Sequence, residues 1–174
     1  MKGKRWNGKI IGSEKNNQGF IFEGEYINGQ KNGTIKKYYN NGKLQIEGAY
    51  SKGKLNGNFK NYYINGNVRF ECHYLNDLKN GILKQFYSDG KLQFEGEFLR
   101  GNRNGKGKEY YSNDKLKFEG EYLNGRRFNG KKYDENGELL YEIKEGKRKV
   151  QKYYKGELIF EGEKFLWKKM ERKR

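Results

Sequence analysis

Leu92-Gln93-Phe94-Glu95-Gly96-Glu97-Phe98 is the stretch that decides the fold. Residues 92, 94, 96 and 98 form one set, apolar apart from a glycine, and Gln93, Glu95 and Glu97 form the other. Alternation with a period of two describes a strand with one buried face. The core of this phrase recurs as FEGEY from Phe22, IEGAY from Ile46, FECHY from Phe70 and FEGEY from Phe118. The interval is 24 residues four times running, and weaker copies follow, YEIKE from Tyr141 and FEGEK from Phe160. Self-similarity at an interval of this size marks a repeat array in which each unit packs on its neighbours.

The rest of the unit supplies a second strand. After Tyr26 come Ile27-Asn28-Gly29, then Gln30-Lys31-Asn32-Gly33, then Thr34-Ile35-Lys36-Lys37-Tyr38-Tyr39, and then Asn40-Asn41-Gly42. Asn-Gly pairs mark tight hairpin turns, because turns that match strand twist need positive φ. Each unit therefore reads as two short antiparallel strands with a turn between them and a turn to the next unit. The glycine on the apolar face weakens a strand unless something approaches the backbone closely. Its expected role is to seat an aromatic ring from the neighbouring hairpin or from a partner. The second strands end in paired aromatics, Tyr38-Tyr39, Tyr62-Tyr63, Phe86-Tyr87, Tyr110-Tyr111 and Tyr153-Tyr154, with one ring expected on each face. A two-stranded unit advances about 10 Å, so the array runs to about 60 Å. Such a sheet twists strongly and has two edges able to recruit other chains.

The composition suits a thin structure. Of 174 residues only 33% are hydrophobic, while 16% are aromatic. No apolar run approaches the 18 residues of a membrane span, and Met1-Lys2-Gly3-Lys4-Arg5-Trp6 lacks the apolar stretch of a signal peptide. The single cysteine, Cys72, excludes an internal disulfide framework and suits a reducing compartment. These features place the protein inside the cell. The net charge of +16 points to nucleic acid, anionic lipid or an acidic protein surface. A second cause fits equally: one alanine, no proline and abundant Lys, Asn, Tyr, Phe and Ile are what AT-rich coding yields.

No constellation for catalysis stands out. His73 is the sole histidine and falls in the column of Glu25 and Glu97, and one histidine makes neither a metal site nor a triad. Cys72 replaces a glycine and reads as a small buried hydrophobe. Glu23, Glu47, Glu71, Glu95 and Glu119 stack on one face, offset by Lys36, Lys60, Lys84 and Lys108 on the neighbouring strands. The glycines follow the turn interval, so no phosphate-cradling loop is implied. The residues call for no cofactor and no metal, and the chain reads as non-enzymatic. Nucleic acid is disfavoured, because the aromatics are needed to hold the sheet and no nucleic-acid fold signature appears.

These units resemble MORN repeats, which open on an aromatic-x-Gly and carry further glycines at set intervals. The fourth unit matches best, with Phe94, Gly96, Gly101, Gly105 and Gly107. The first two keep Gly24, Gly29 and Gly33, and Gly48, Gly53 and Gly57, but have Ile35 and Phe59 at the last glycine position. The third has Cys72 and Asp77 in glycine columns, and the fifth keeps Gly120 and Gly125 and reaches Gly130 one residue late. The resemblance covers residues 3 to 163. It implies an all-β fold, one elongated twisted antiparallel sheet of tandem hairpins with an aromatic-lined groove. It also implies a scaffold, adaptor or dimerisation module in cytoskeletal, ciliary or membrane-junction assemblies, and links the family to anionic phospholipids.

The ends complete the expectation. Gly3-Lys4-Arg5-Trp6-Asn7-Gly8-Lys9 parallels Gly125-Arg126-Arg127-Phe128-Asn129-Gly130-Lys131, so the chain opens inside a unit, its edge covered by a second copy, as in a homodimer, or by a partner. Residues 164–174 read as a basic amphipathic helix capping the array of residues 1–163. The candidate groove contacts are Tyr26, Tyr50, Tyr74, Phe98 and Tyr122, taking a helix or extended peptide of an acidic protein. The alternative is a peripheral membrane protein drawn to anionic lipid by Lys164, Lys168, Lys169, Arg172, Lys173 and Arg174.

Overall fold

The computed structural model describes residues 8–12, 21–154 and 157–165, with side-chain environments over residues 23–148. Among the described residues, fourteen strands form one open antiparallel sheet, in which each strand pairs with the next in sequence. They are β1 (Gly8–Gly12), β2 (Ile21–Ile27), β3 (Gln30–Tyr38), β4 (Leu44–Ser51), β5 (Lys54–Tyr62), β6 (Val68–Leu75) and β7 (Leu78–Phe86). The second half runs β8 (Leu92–Leu99), β9 (Asn102–Tyr110), β10 (Leu116–Leu123), β11 (Arg126–Tyr133), β12 (Leu139–Lys144), β13 (Lys147–Tyr154) and β14 (Glu157–Phe165). The expected C-terminal helix does not begin at Lys164. Lys164 and Phe165 continue β14, pairing with Arg148 and Lys147, because Phe160-Glu161-Gly162 is a strand phrase whose alternation carries on through them. Residues 166–174 lie outside the described residues.

Two kinds of turn alternate. Within each hairpin the two central residues both have positive φ: 52° and 75° at Asn28-Gly29, 50° and 81° at Lys52-Gly53, 49° and 87° at Arg100-Gly101. That is the I′ pattern, whose twist matches the strands it joins. Its second residue also binds the preceding unit. The N–H groups of Gly53, Asp77, Gly101 and Gly125 donate to the carbonyls of Lys31, Leu55, Lys79 and Arg103 at 2.8 to 2.9 Å. At the opposite edge, Tyr39, Tyr63, Tyr87 and Tyr111 donate their hydroxyls to the carbonyls of Tyr62, Phe86, Tyr110 and Tyr133, at 2.6 to 2.9 Å. Both margins of the sheet are thus stitched from unit to unit. In the four pairs from Tyr38-Tyr39 to Tyr110-Tyr111 the aromatics divide labour as well as position: the first lies on the charged face, and the second is the staple.

The core is one row deep. Along the middle of the aromatic face, cross-strand partners run Ile35, Gly48, Phe59, Cys72, Leu83, Gly96, Gly107, Gly120, Gly130 and Ile143. Where this row holds side chains, they fill the space over the neighbouring glycine. A Cβ on Gly48 would lie 2.9 Å from both Leu55 and Phe59. Where the row is glycine, rings from the flanking row settle onto the backbone. A Cβ on Gly107 would meet Tyr122 at 2.9 Å and Phe94 at 3.2 Å. Phe94 and Phe118 are accordingly the most deeply buried large side chains, at 1% and 0% exposure. The glycine does seat aromatic rings, and they come from its own and the adjacent hairpins.

Candidate functional site

The five rings expected to line a groove do fall in one row. Register places Tyr26 opposite Lys31, Tyr50 opposite Leu55, Tyr74 opposite Lys79, Phe98 opposite Arg103 and Tyr122 opposite Arg127. The row therefore alternates ring and cation, with Leu55 as the single break. Each cation lies against rings: Lys31 is 5.0 Å from the centre of Tyr50, and Lys79 is 4.7 Å from Phe70 and 5.6 Å from Phe98. Arg103 lies 4.0 Å from Phe94, and Arg127 4.6 Å from Phe118. Such contacts stabilise by about 0.5–1 kcal/mol when exposed and more when desolvated. Tyr26, Tyr50, Tyr74 and Phe98 stay half-buried, so their edges are available. Tyr122 does not share that role: at 4% exposure it belongs to the core.

Tyr122 is held there by a charged cluster. Glu109 sits between Phe94 and Phe118 on the aromatic face, with its side chain 13% exposed. It accepts hydrogen bonds from the Tyr122 hydroxyl, from both ends of the Arg127 guanidinium and from Arg103 at 3.4 Å. Burial alone would push this carboxyl up. The hydrogen bonds from Arg127 and Tyr122 and the charges of Arg127 and Arg103 outweigh that and hold it below the usual range. Lys132, buried beside the cluster, has its ammonium pushed down by desolvation and by the Arg127 charge. It donates to the Tyr111 hydroxyl at 3.0 Å. Burial likewise raises the Tyr74 hydroxyl to about 12, so it remains a donor at any physiological pH.

Charge is unevenly shared between the faces. Over residues 23–148, seven strand cations point to the aromatic face: Lys31, Lys37, Lys79, Arg103, Arg127, Lys132 and Arg148. Glu109 is the one carboxylate among them. The opposite face carries an alternating ladder, in which Glu23, Lys36, Glu47, Lys60, Glu71, Lys84, Glu95, Lys108, Glu119, Lys131 and Glu142 are successive cross-strand partners. The offset of glutamates by lysines is as the spacing implies. Lys60 and Glu71 approach to 3.4 Å, and Tyr62 donates to Glu47 at 2.6 Å. The ladder spends its charge internally, whereas the aromatic face is left strongly basic.

Three open cavities lie on the ladder side. Two of about 440 and 500 Å³ share Asn58, Phe59, Lys60 and His73, and a third of about 380 Å³ is lined by Lys106, Lys108, Glu119, Glu121 and Lys131. His73 is exposed in that trough, and Cys72 is buried, its thiol pushed up to about 11 by desolvation. Among the described residues no group of three or more His, Cys, Asp or Glu side chains is placed to hold a metal. No helix among them is long and apolar enough to cross a membrane. Of the proposed lipid-facing set, Lys164 lies in β14, and Lys168, Lys169, Arg172, Lys173 and Arg174 lie outside the described residues.

The family models divide the chain along the same lines as the core. The MORN repeat matches residues 94–115, and the MORN repeat variant matches residues 31–52, 55–76 and 79–99. The chain carries MORN repeats. The variant covers the units whose central row holds side chains, and the standard repeat covers the unit where that row turns to glycine. No curated protein matches the chain significantly. MORN repeats are generally protein- or membrane-interacting modules, and MORN-repeat proteins are typically non-enzymatic scaffolds. Glu109 and the cations Lys31, Lys79, Arg103 and Arg127 escaped the sequence reading. Aligning second strands in register would have revealed the cation column, since these four residues share one position in the 24-residue interval.

Proposed function

We propose that the chain is a non-enzymatic scaffold that captures an acidic protein segment on its aromatic face, within a cytoskeletal or ciliary assembly. The observation that carries the reading is that Lys31 and Lys79, outside the Glu109 cluster, share a row with the half-buried rings, while the opposite face pairs its glutamates with lysines. Arg and aromatic residues are the groups that anchor protein interfaces, and a one-signed face steers an oppositely charged partner.

Selection of random peptides on the immobilised full chain tests this. Acidic peptides should be enriched and should lose binding to a folded Tyr74→Ala, Phe98→Ala variant. Neutral peptides, or binding indifferent to that variant, would contradict the face assignment. Tyr122→Ala is a poor probe, since it opens the core.

The seven cations of the same face also favour a second reading, a peripheral protein on an anionic membrane. Flotation with phosphatidylserine vesicles that disappears at physiological salt, and that survives loss of residues 166–174, would move this reading ahead.

A further inference from the structure

The margin of the sheet that joins one hairpin to the next carries a chemistry that neither face uses. Ten Asn-Gly pairs fall within residues 21–154. In such a pair the glycine nitrogen can attack the asparagine Cγ, since no side chain on the glycine blocks it. The fold decides which pair is free to react. Asn32, Asn56, Asn80, Asn104 and Asn129 lie inside β3, β5, β7, β9 and β11, where the ladder fixes the backbone. Asn28 and Asn124 hold left-handed φ of 52° and 49° in the I′ turns, a conformation that turns the next nitrogen away from the residue's own Cβ. Asn41, Asn65 and Asn136 remain, and all three occupy turns between hairpins.

Five of those turns share one plan. The N–H of the fourth residue donates to the carbonyl of the first, as Gly42 does to Tyr39, Gly66 to Tyr63 and Gly137 to Asp134. In four of them the side chain of the third residue ties the turn. Asn41, Asn65, Asp89 and Asn113 accept from the N–H of Lys43, Asn67, Lys91 and Lys115 at 3.0 to 3.1 Å. Asn65 is also held by its amide, which donates to the Ser88 carbonyl at 2.7 Å. The turn from Asp134 to Glu138 departs from the plan. Asp134 stands where the others have Tyr39, Tyr63, Tyr87 and Tyr111, and its carboxylate accepts from the N–H of Asn136 and of Glu138, at 2.9 and 2.8 Å. That leaves the Asn136 side chain exposed and, among the described residues, untied. Nothing lies within 4 Å of where a Cβ on Gly137 would stand, and its bond to Asp134 is long, at 3.2 Å against 2.9 Å for Gly42 and Gly66.

A cation completes the arrangement. Lys115 Nζ donates to the Asn136 carbonyl at 2.9 Å. That oxygen belongs to the same peptide unit as the Gly137 nitrogen, so negative charge spreads onto it when the N–H is lost. A positive group already placed where charge develops lowers the barrier. Lys43 makes the same contact with the Asn65 carbonyl at 3.0 Å, so the Asn65-Gly66 pair differs chiefly by its tied side chain.

We propose that Asn136-Gly137 is a self-modification site, at which the chain deamidates its own asparagine to aspartate and isoaspartate with Lys115 as promoter. Solvent base removes the Gly137 proton and the nitrogen bonds to Asn136 Cγ. The Cγ–Nδ2 bond breaks, and Nδ2 leaves as ammonia with a proton from water. Water then opens the cyclic imide. Addition at Cγ gives aspartate, and addition at the main-chain carbonyl carbon gives isoaspartate, which routes the backbone through Cγ. Either product adds a carboxylate beside Asp134, Glu135 and Glu138, and isoaspartate also lengthens the turn by one backbone carbon.

Peptide mapping by mass spectrometry of the folded full chain, incubated in mildly alkaline buffer, tests this. Asn136 should convert first, and Asn65 at least about tenfold more slowly, because two hydrogen bonds must break before its side chain can turn. Asp134→Tyr, which installs the residue of the other four turns, should return the tie to Asn136 and protect it as Asn65 is protected. Lys115→Met should slow conversion about threefold, the scale of an exposed charge contact, and Lys115→Arg should restore it. In urea the ten pairs should converge, because the fold and not the dipeptide makes the choice. Conversion of Asn28, Asn65 or Asn124 ahead of Asn136, or the same ranking in folded and unfolded chains, overturns the assignment. So does an Asp134→Tyr variant that converts as fast as the parent, and a rate unmoved by Lys115→Met overturns the promoter.

Discussion

Two halves of one sheet solve the same packing problem in opposite ways. From β3 to β7 the central row of the aromatic face carries Ile35, Phe59, Cys72 and Leu83 with Gly48 as its one glycine, and the flanking ring of Phe70 is half-buried and stacked 5.5 Å from Phe59. From β8 to β11 the row is Gly96, Gly107, Gly120 and Gly130, and Phe94 and Phe118 sink to near-complete burial. The rings interlock edge-to-face, with Tyr122 5.8 Å from Phe94 and 5.5 Å from Phe118. Sinking the rings makes room for Arg103 and Arg127 above them and for Glu109 between them. Glycine in this fold is thus a choice about where the aromatic mass sits. That choice determines whether the cations are tied into a network or left along the rim, as Lys31 and Lys79 are.

Truncating the rings should separate the halves most sharply. Phe118→Ala is expected to cost about 4 kcal/mol, the loss for a fully buried aromatic, and Phe70→Ala about half of that. Equal midpoint shifts in urea would mean that the two packings are equivalent. Transplanting the filled row comes next. Gly107→Leu, which copies the Leu83 arrangement into the glycine half, should cost about 3 kcal/mol by overpacking against Tyr122 and Phe94. A neutral result would show that the rings can lift as Phe70 does.

Glu109→Gln should follow at about 2 kcal/mol, the size of a hydrogen-bonded charged contact, and its effect should depend on pH. The carboxyl is held below its unfolded value of about 4.3, so its stabilisation is present above that pH. It is lost as pH falls through the lower folded value. Wild type and variant should therefore converge in acid, and a gap that persists at low pH would assign the loss to packing alone. The smallest effect is expected on the ladder. Lys84→Glu places three carboxylates side by side with Glu71 and Glu95, yet exposure should keep the cost below about 1 kcal/mol.

Much of this was legible in the sequence because it is periodic. The two-residue alternation of Leu92 to Phe98 and the Asn-Gly turns set the hairpins, and the interval of 24 put Glu47, Lys60 and Glu71 side by side before any contact was seen. What could not be read is what happens once per chain. Glu109 occupies a column otherwise held by Lys37, Asn61, Gln85 and Lys132, so periodicity carried no hint of a buried carboxylate there. Tyr122 looked like Tyr26, Tyr50 and Tyr74, and only the glycines opposite it and the Glu109 acceptor draw it into the core. The helix expected from Lys164 does not start there for the reverse reason: a strand phrase with a weak interval still specifies a strand through Phe165.

The face assignment is tested most directly by moving the same charge change from one side of the sheet to the other. Lys31→Glu with Lys79→Glu alters the aromatic face, and Lys60→Glu with Lys84→Glu alters the ladder, leaving the net charge of the two variants equal. Binding of poly-L-glutamate, measured by titration at physiological salt, should be abolished by the first pair and nearly unchanged by the second. Equal loss in both would show that the chain attracts anions by net charge alone, and that the ring-and-cation row is no binding face.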